Sequence, residues 1–315
     1  AAGPDPARLV LLTVGDGSAD PGRSALQGML RTVAAEYPQL GCLAVDVGGS
    51  AWAAVAAELT GPGGHRFVAL DGARRTVPRL VPLPLPGAAT WQAPSGAVLI
   101  TGGRGALGLR LAEDIAAAGA RTVVLLGRGE PSAAATAVLD RLRAGGVDVR
   151  VVRGDVAKAD DVRKALDEAG ELAGVVHAAG VLDDGPLAEQ TSERLGATLR
   201  AKVLGGHLLD QLSRPYEPAF FVAYSSLAAV VPTHSSGAYG AANAYLDGLV
   251  ARRRAEGLPA LSVAWGPWAG RGMAADERAT HEAVGLTMIE PAAGTATLLA
   301  LLALPDTPPC VVVAP

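Results

Sequence analysis

The chain has 315 residues, of which 50% are hydrophobic and 18% charged, with a formal net charge of −4. Such a chain can bury a large core and carries no basic run, so we expect one large or two ordinary soluble domains and no nucleic-acid partner. Glycine, proline or charge interrupts every apolar stretch well before the roughly 20 residues of a membrane span. Cys42 and Cys310 lack metal-ligand spacing and no signal peptide opens the chain, which predicts free thiols, no metal site and a cytoplasmic location.

The first 80 residues alternate short apolar runs with amphipathic stretches, an α/β pattern without a phosphate-binding loop. The apolar runs are 8–14, 43–47 and 66–70, and the amphipathic stretches are 24–37 and 51–59. Residues 77–96 are rich in proline, which excludes a helix or a central strand and indicates a connection. We therefore predict a first unit over 1–92 and a second over 93–315. Because the chain begins without Met and stops abruptly, we interpret it as a segment of something larger.

From Ala97 the alternation becomes regular. Strands are predicted at 97–101, 122–126, 147–152, 173–177, 218–224, 259–265 and 310–313, and helices near 106–118, 133–144, 159–169, 193–213, 238–256 and 291–303. Short apolar strands separated by helices are typical of a doubly wound parallel sheet of the Rossmann type. Ligands of such sheets bind at the carboxyl ends of the strands.

A glycine pattern follows the strand at 97–101 directly and precedes a helix. Gly103, Gly105 and Gly108 form G-x-G-x-x-G, which lets the backbone turn sharply and approach a pyrophosphate at a helix N-terminus. The pattern predicts a dinucleotide site in preference to a merely structural tight turn.

The end of the second strand of this sheet predicts which dinucleotide binds. NAD-specific sites place an acid there for the ribose 2′-hydroxyl, whereas this chain has Arg128 and no carboxylate before Glu130. Arg128 and Arg104 are suited to a 2′-phosphate, which predicts NADPH. The alternative for Arg128 is a solvated surface charge.

Further cofactor contacts are expected after the third and fourth strands. Asp155 is placed to meet the adenine, and it is also suited to cap the next helix, a compatible role. The small residues Ala178 to Gly180 let the cofactor lie close. The full predicted cofactor set is Gly103, Arg104, Gly105, Leu107, Gly108, Arg128, Asp155, Val156, Ala178, Ala179, Gly180, Lys202, Tyr239 and Pro267.

One tyrosine has the neighbours that carbonyl reduction needs. Tyr239 precedes Asn243 by four residues and follows Ser226 by thirteen, and Lys202, one of three lysines, lies 37 residues upstream. An ammonium beside a phenol stabilises the phenolate and lowers its pKa, and it can also hold a ribose. The alternative is that Tyr239 and Tyr245 are half-buried aromatics of a helix and that Asn243 is a surface residue.

Several strings together resemble a known family. TGGRGALG, HAAGVLDD, SSLA, AYGAANAYLDGL and VAWGPWAGRGMA make residues 97–275 similar to the catalytic half of a ketoreductase domain from a modular polyketide synthase, within the short-chain dehydrogenase/reductase superfamily. The lysine and asparagine stand in the exchanged order of the synthase enzymes. SALQGMLRTVAAEYP and DGARRTVPRL resemble that family's truncated, Rossmann-like structural subdomain, which lacks a cofactor site. Arg104 departs from the usual threonine, Gly240 from the common alanine, and the amino-terminal unit is shorter than expected.

The resemblance implies a reaction and partners. NADPH would reduce the β-carbonyl of an acyl thioester carried by the phosphopantetheine arm of an acyl carrier protein, beside neighbouring synthase domains. Tyr239 would protonate the alkoxide and Ser226 would donate a hydrogen bond to it, while Lys202 lowers the tyrosine pKa and holds the ribose. Asn243 would position Lys202 or a relay water. The alternatives are a non-reducing scaffold that binds NADPH and a free-standing reductase of small metabolites.

The resemblance also implies the stereochemistry. An LDD string, here Leu182, Asp183 and Asp184, marks the B type, and Val231 stands where the A type has tryptophan. His234 and Ala241 replace the prolines of epimerising B types. A B1-like enzyme that makes a D (3R) alcohol without α-epimerisation is therefore expected. The alternative is that the two aspartates form a solvated turn.

Some remaining polar and aromatic residues are expected to be structural. We interpret His177 as a packed strand-end residue and His234 as lining the entrance, rather than either as a base. Tyr224, Trp265 and Trp268 are expected in the core or the cleft wall. Trp268 and Met273 are also candidates for a lid over the substrate.

Overall fold

A small α/β unit forms the amino-terminal part of the computed structural model, which describes residues 8–15, 19–49, 51–61, 66–85, 90–270 and 285–314. Its sheet has the order β1-β2-β3-β4, with three parallel strands and an antiparallel β4. Its elements are β1 (Val10–Gly15), α1 (Pro21–Glu36), β2 (Leu43–Gly48), α2 (Trp52–Thr60), β3 (Phe67–Asp71) and β4 (Arg74–Thr76). All but the three-residue β4 were predicted from the sequence.

Seven parallel strands form the second sheet, in the order β11-β10-β9-β8-β5-β6-β7. The strands are β5 (Ala97–Thr101), β6 (Thr122–Gly127), β7 (Asp148–Arg153), β8 (Leu172–His177), β9 (Phe220–Ser226), β10 (Leu261–Trp265) and β11 (Cys310–Val313). The chain proceeds outward from β5 on one side and from β8 on the other, so the strand order reverses between these two strands. Ligands bind at such a reversal, in the crevice beyond the carboxyl ends.

Helices cover both faces of this sheet in the described residues. They are α3 (Ala106–Ala117), α4 (Ala133–Ala144), α5 (Ala159–Ala169), α6 (Ser192–Leu199), α7 (Gly205–Ser213), α8 (Gly237–Ala255) and α9 (Pro291–Ala303). Alternate residues of β5 enter two separate cores: Ile100 packs with Ile115 on one face, and Leu99 packs with Leu246 on the other. This confirms the doubly wound α/β architecture predicted from the apolar strands.

The helix predicted over 193–213 is present, and its backbone stays helical throughout, but its middle turn is wider than an α-helical turn. A π-helical turn, Arg200–Leu204, separates α6 from α7. The sequence pattern does not reveal it, because one widened turn leaves the apolar residues close to a helical spacing. Such turns recur at functional sites, and this one carries Lys202.

The two units meet along α1 and α8, which approach each other closely through glycines. A Cβ at Gly28 would lie 2.6 Å from the Gly240 carbonyl oxygen, and a Cβ at Gly248 would lie 2.4 Å from the Ser24 hydroxyl. Small residues at a helix crossing set the distance between the helices. A Cβ at Gly240 itself would lie 3.0 Å from the Ala228 carbonyl oxygen, which explains why glycine suits this position.

The proline-rich connection is irregular throughout 77–85 and 90–96, as predicted. Its end joins the second sheet, where Trp91 packs edge-on against Phe220 with ring centres 5.4 Å apart. The division at 92/93 stays a prediction. Among the described helices, none has the length and apolar character to cross a bilayer.

Candidate active site

The structure brings Tyr239, Ser226 and Lys202 together at the carboxyl end of β9. Tyr239 lies in the first turn of α8, and the Ser226 hydroxyl is hydrogen-bonded to its phenol. Lys202 is only 3% exposed; its ammonium donates to the Tyr224 carbonyl at 2.7 Å and lies 5.8 Å from the centre of the Tyr239 ring. The π-helical turn and the end of β9 thus place a cation and a hydroxyl beside one phenol.

Asn243 is fully buried, so the alternative that it is a surface residue is wrong. Its Nδ2 donates to the Tyr239 backbone carbonyl at 2.8 Å, one turn earlier in α8. Its Oδ1 is buried and has no hydrogen-bond partner among the described residues. A buried acceptor without a partner is costly, which indicates that a donor is expected there.

The pKa of Tyr239 differs from the sequence-based expectation. Burial raises it above the ordinary value of 10.0 and the Asp184 carboxylate adds to this, whereas the hydrogen bond from Ser226 opposes it. The predicted lowering by Lys202 is therefore absent in this structure. Lys202 directs its ammonium to the Tyr224 carbonyl, and desolvation disfavours the phenolate. Tyr239 consequently remains protonated near neutral pH.

Lys202 has a half-buried carboxylate nearby, that of Asp247, which the sequence analysis did not single out. Burial lowers the pKa of Lys202 to about 8, and the Asp247 carboxylate opposes that effect. Asp247 accepts a hydrogen bond from Ser262 at 2.5 Å, and burial raises its own pKa to about 6. Asp247 follows Asn243 by four residues on α8, so helical spacing was the available signal.

Three glycines of the loop after β5, Gly102, Gly103 and Gly108, leave no room for a Cβ. Gly102 has a φ of +69°, in the left-handed region, and a Cβ there would lie 2.9 Å from the Ala178 carbonyl oxygen. A Cβ at Gly108 would lie 2.6 Å from the Gly102 oxygen, and one at Gly103 would lie 2.7 Å from a methyl of Leu125. The left-handed residue thus lies just before the G-x-G-x-x-G pattern. Gly105 is the N-cap of α3 and Leu107 lies half-buried in its first turn.

A cationic site lies at the end of β6. The Arg104 guanidinium lies against Gly127, where an added Cβ would be 2.9 Å from its Nε, and Arg128 is exposed next to it. One Nη of Arg104 is buried without a partner among the described residues, and burial lowers its pKa. An orphaned cationic donor beside a second arginine fits an anion such as a 2′-phosphate.

Replacing Arg104 by alanine should weaken NADPH binding about 10- to 100-fold, because hydrogen bonds to charged groups contribute roughly 1.5–3 kcal/mol. The Kd for NADH should stay the same, since NADH lacks the 2′-phosphate. Fluorescence titration with both cofactors measures this. Arg141→Ala, which removes an exposed pair with Glu113, is the control, and an equal loss of NADH affinity would contradict the assignment.

Asp155 does not cap α5, whose N-cap is Lys158 without a side-chain hydrogen bond. Its carboxylate instead accepts from the Ala157 amide at 3.0 Å and from Arg200 at 3.3 Å. Burial raises the pKa of Asp155, but these two partners outweigh burial and hold it below the ordinary value. Asp155 is thus ionised and fixed near the strand ends.

Other predicted cofactor residues are small or packed. Val156 is buried against Gly205, so its side chain belongs to the core. Gly180 leaves space for Lys202, whose Cε would lie 3.0 Å from an added Cβ, and Pro267 accepts a hydrogen bond from the Ile289 amide.

The strand ends of β5 and β8 are joined through Thr101. Its hydroxyl accepts from the Ala179 amide at 3.3 Å and its carbonyl accepts from the Ala178 amide at 3.2 Å. The same hydroxyl lies 2.7 Å from His177 Nδ1. His177 is fully buried, which lowers its pKa to about 3. It is therefore a neutral packed residue, as the sequence analysis favoured.

The residues predicted to control stereochemistry border the site. Asp183 accepts two hydrogen bonds from Arg194, at 2.7 and 3.0 Å, and Asp184 accepts from the Ser236 hydroxyl at 2.8 Å. Both aspartates are thus anchored although Asp184 is exposed, and their role in stereocontrol stays a prediction. Of the others, Leu182 and Val231 are half-buried and His234 is exposed.

Of the two predicted lid residues, the structure describes only Trp268. Trp268 packs with Trp265 and Tyr224, at ring-centre distances of 4.7 and 6.5 Å, and against Gly294 of α9. It belongs to the aromatic core, as the alternative stated. Met273 lies outside the described residues.

The fold and these groups define a Rossmann-like α/β protein with a dinucleotide-type loop and a Ser, Tyr and Lys constellation. The model of a family described as "KR domain" matches residues 96–270. The chain belongs to this family, the ketoreductase domains of modular polyketide synthases.

Individual relatives agree with the family. NorA, a spectinabilin polyketide synthase system protein of Streptomyces orinoci, is 40% identical over 280 residues, covering 84% of this chain and 14% of NorA. PlmKR1, a ketoreductase of phoslactomycin biosynthesis in Streptomyces sp. HK803, superposes with a TM-score of 0.89 at 33% identity, covering 98% of this chain and 76% of PlmKR1. An A-type ketoreductase superposes with a TM-score of 0.86 at 32% identity, covering 98% of this chain and 69% of that chain.

Proposed function

We propose that the chain reduces the β-keto group of a polyketide thioester bound to an acyl carrier protein, using NADPH. The observation that carries this proposal is the buried Lys202 beside a Tyr239 that is hydrogen-bonded to Ser226. The exchanged order of Lys202 and Asn243 supports a place within the short-chain dehydrogenase/reductase superfamily. A cytoplasmic location stays a prediction.

The cofactor would be held by the glycine loop, with its 2′-phosphate at Arg104 and Arg128. When bound, NADPH supplies the hydride that adds to the carbonyl carbon. Ser226 and Tyr239 hold the carbonyl oxygen between two hydroxyl groups. Because its pKa is raised, Tyr239 is protonated before the reaction and its O–H is available as the acid.

Proton transfer then depends on Lys202. The Tyr239 O–H bond breaks as its proton passes to the developing alkoxide, which leaves a phenolate. The Lys202 ammonium stabilises that phenolate, since opposite charges favour each other strongly in a buried site. With a pKa of about 8, Lys202 is mostly charged at neutral pH. The unpaired Oδ1 of Asn243 accepts from Lys202 or from a water that returns the proton.

A turnover assay tests the reaction. The purified chain, NADPH and a β-ketoacyl thioester should give loss of NADPH absorbance and one equivalent of β-hydroxy thioester. A carrier-bound thioester should show a lower KM than the same acyl group on a short thiol, because the carrier adds contacts. NADPH binding without turnover would instead indicate a scaffold, and reduction of small ketones alone would indicate a free-standing reductase.

The product is proposed to be the D (3R) alcohol, formed without α-epimerisation. Support comes from the LDD string, which Arg194 and Ser236 anchor beside the site, and from Val231 in place of the A-type tryptophan. Chiral chromatography of the reduced thioester measures this, and deuterium retention at the α-carbon reports epimerisation. A dominant L product would contradict the B1-like assignment.

A further inference from the structure

A glutamate of the amino-terminal unit contacts both loops that border the active site. The first loop, residues 178–191, follows β8, and the second, residues 227–236, leads into α8. Glu36, the last residue of α1, accepts from the Leu187 amide at 2.8 Å with Oε2 and from the Ser235 amide at 2.7 Å with Oε1. These partners are 151 and 199 residues away in sequence.

The two loops also contact each other at this place. The Gly185 amide donates to the Ser235 carbonyl at 2.7 Å, and the Ser236 hydroxyl donates to Asp184 at 2.8 Å. The carboxylate of Glu36 therefore completes a small junction in which each loop is held both by the other loop and by α1.

Ser235 has a strained backbone that this junction maintains. Its φ is +63°, in the left-handed region that non-glycine residues rarely adopt. Such conformations persist where the surroundings determine them, often at functional sites. Glu36 binds the amide of this residue, and α8 begins two residues later, with Tyr239 in its first turn.

We propose that Glu36 is a positioning residue for the substrate entrance, which fixes the loop that carries Asp183 and Asp184 against the loop that leads to Tyr239. The amino-terminal unit then contributes to substrate orientation although it holds no reacting group. The role of Glu36 in substrate orientation rests on the proposed function, whereas the hydrogen bonds of the junction do not depend on it.

The test compares Glu36→Gln with the wild-type chain. A carboxamide has one acceptor oxygen, so its NH2 group would face one of the two loop amides, and donor against donor is unfavourable. Loss of one hydrogen bond to a charged group predicts about tenfold faster hydrogen exchange in residues 183–190 and 231–237. The KM for the thioester should rise about tenfold and the minor alcohol enantiomer should increase, with an unchanged NADPH Kd.

Glu58→Gln is the matched control, because it removes an ion pair with Arg75, 2.7 Å long, within the same unit. It should leave loop exchange, KM and product ratio as in the wild-type chain. Unchanged protection of both loops in Glu36→Gln overturns the proposal. Equal loss of protection in the cofactor loop, residues 102–108, also overturns it, because Glu36 would then be a general stabiliser. If the wild-type chain reduces no thioester, the proposed function fails while the exchange data still decide the role of Glu36.

Discussion

Replacing Tyr239 by phenylalanine should lower turnover by a factor of about 100 to 10,000, the usual contribution of a positioned general acid. The variant keeps the ring that packs near Lys202 and loses only the hydroxyl that protonates the alkoxide. NADPH affinity should therefore persist. Steady-state rates with a β-ketoacyl thioester, together with a fluorescence titration of NADPH, separate the two quantities.

Tyr245→Phe is the matched control for this change. Tyr245 lies on the same helix and is half-buried, but it packs against the core on the α8 side of the sheet rather than near Ser226. Its loss of a hydroxyl should leave turnover close to that of the wild-type chain. Near-normal turnover in Tyr239→Phe would remove the tyrosine from the reaction.

The regular part of the fold could be predicted from the sequence because its signals are local. Runs such as Ala97–Thr101 are short, apolar and followed by glycine, and the strands formed within a residue or two of the predicted ends. The widened turn at Arg200–Leu204 could not be predicted, because residues distant in sequence pack against it. The Lys202 ammonium donates to the Tyr224 carbonyl. Val156 packs so closely against Gly205 that a Cβ added there would lie 2.8 Å from its side chain.

The candidate site divides in the same way. Ser226, Tyr239 and Lys202 were found because residue type and spacing carry their chemistry. Glu36 was missed because its partners are fixed only by tertiary packing. The sequence analysis also predicted the wrong direction for the shift of the Tyr239 pKa. A sequence shows which charged residues exist, but it does not show how far burial removes a phenol from water.

Replacing Asp247 by asparagine should remove a part of the pH dependence of stability. Burial raises the pKa of Asp247 from the ordinary 3.8 to about 6, so folding favours its protonated form. Its contribution to stability is full below pH 3.8 and is lost as the pH rises through 6. A difference of about 2 pKa units, at roughly 1.4 kcal/mol each, corresponds to about 3 kcal/mol.

The unfolding free energy of Asp247→Asn relative to wild type should therefore increase by up to about 3 kcal/mol between pH 4 and pH 7.5. Denaturant unfolding at several pH values measures this increase. Asp160→Asn is the control, because that carboxylate is 97% exposed. A stability difference that is constant with pH would contradict a raised pKa for Asp247.

The same substitution should reduce activity at alkaline pH. Several groups face Asp247 from other elements: Arg31 of α1, Lys202, the hydroxyls of Ser225 and Ser262, and the thiol of Cys310. Its negative charge raises the pKa of Lys202, so its removal lowers that pKa below about 8. The alkaline limb of the kcat/KM profile should then move to lower pH, because the ammonium must be charged to stabilise the phenolate. An alkaline limb at the wild-type pH would show that Asp247 does not act on Lys202. A limb shifted to lower pH, together with a more stable variant, would show that the Asp247 carboxylate favours catalysis at the expense of folding.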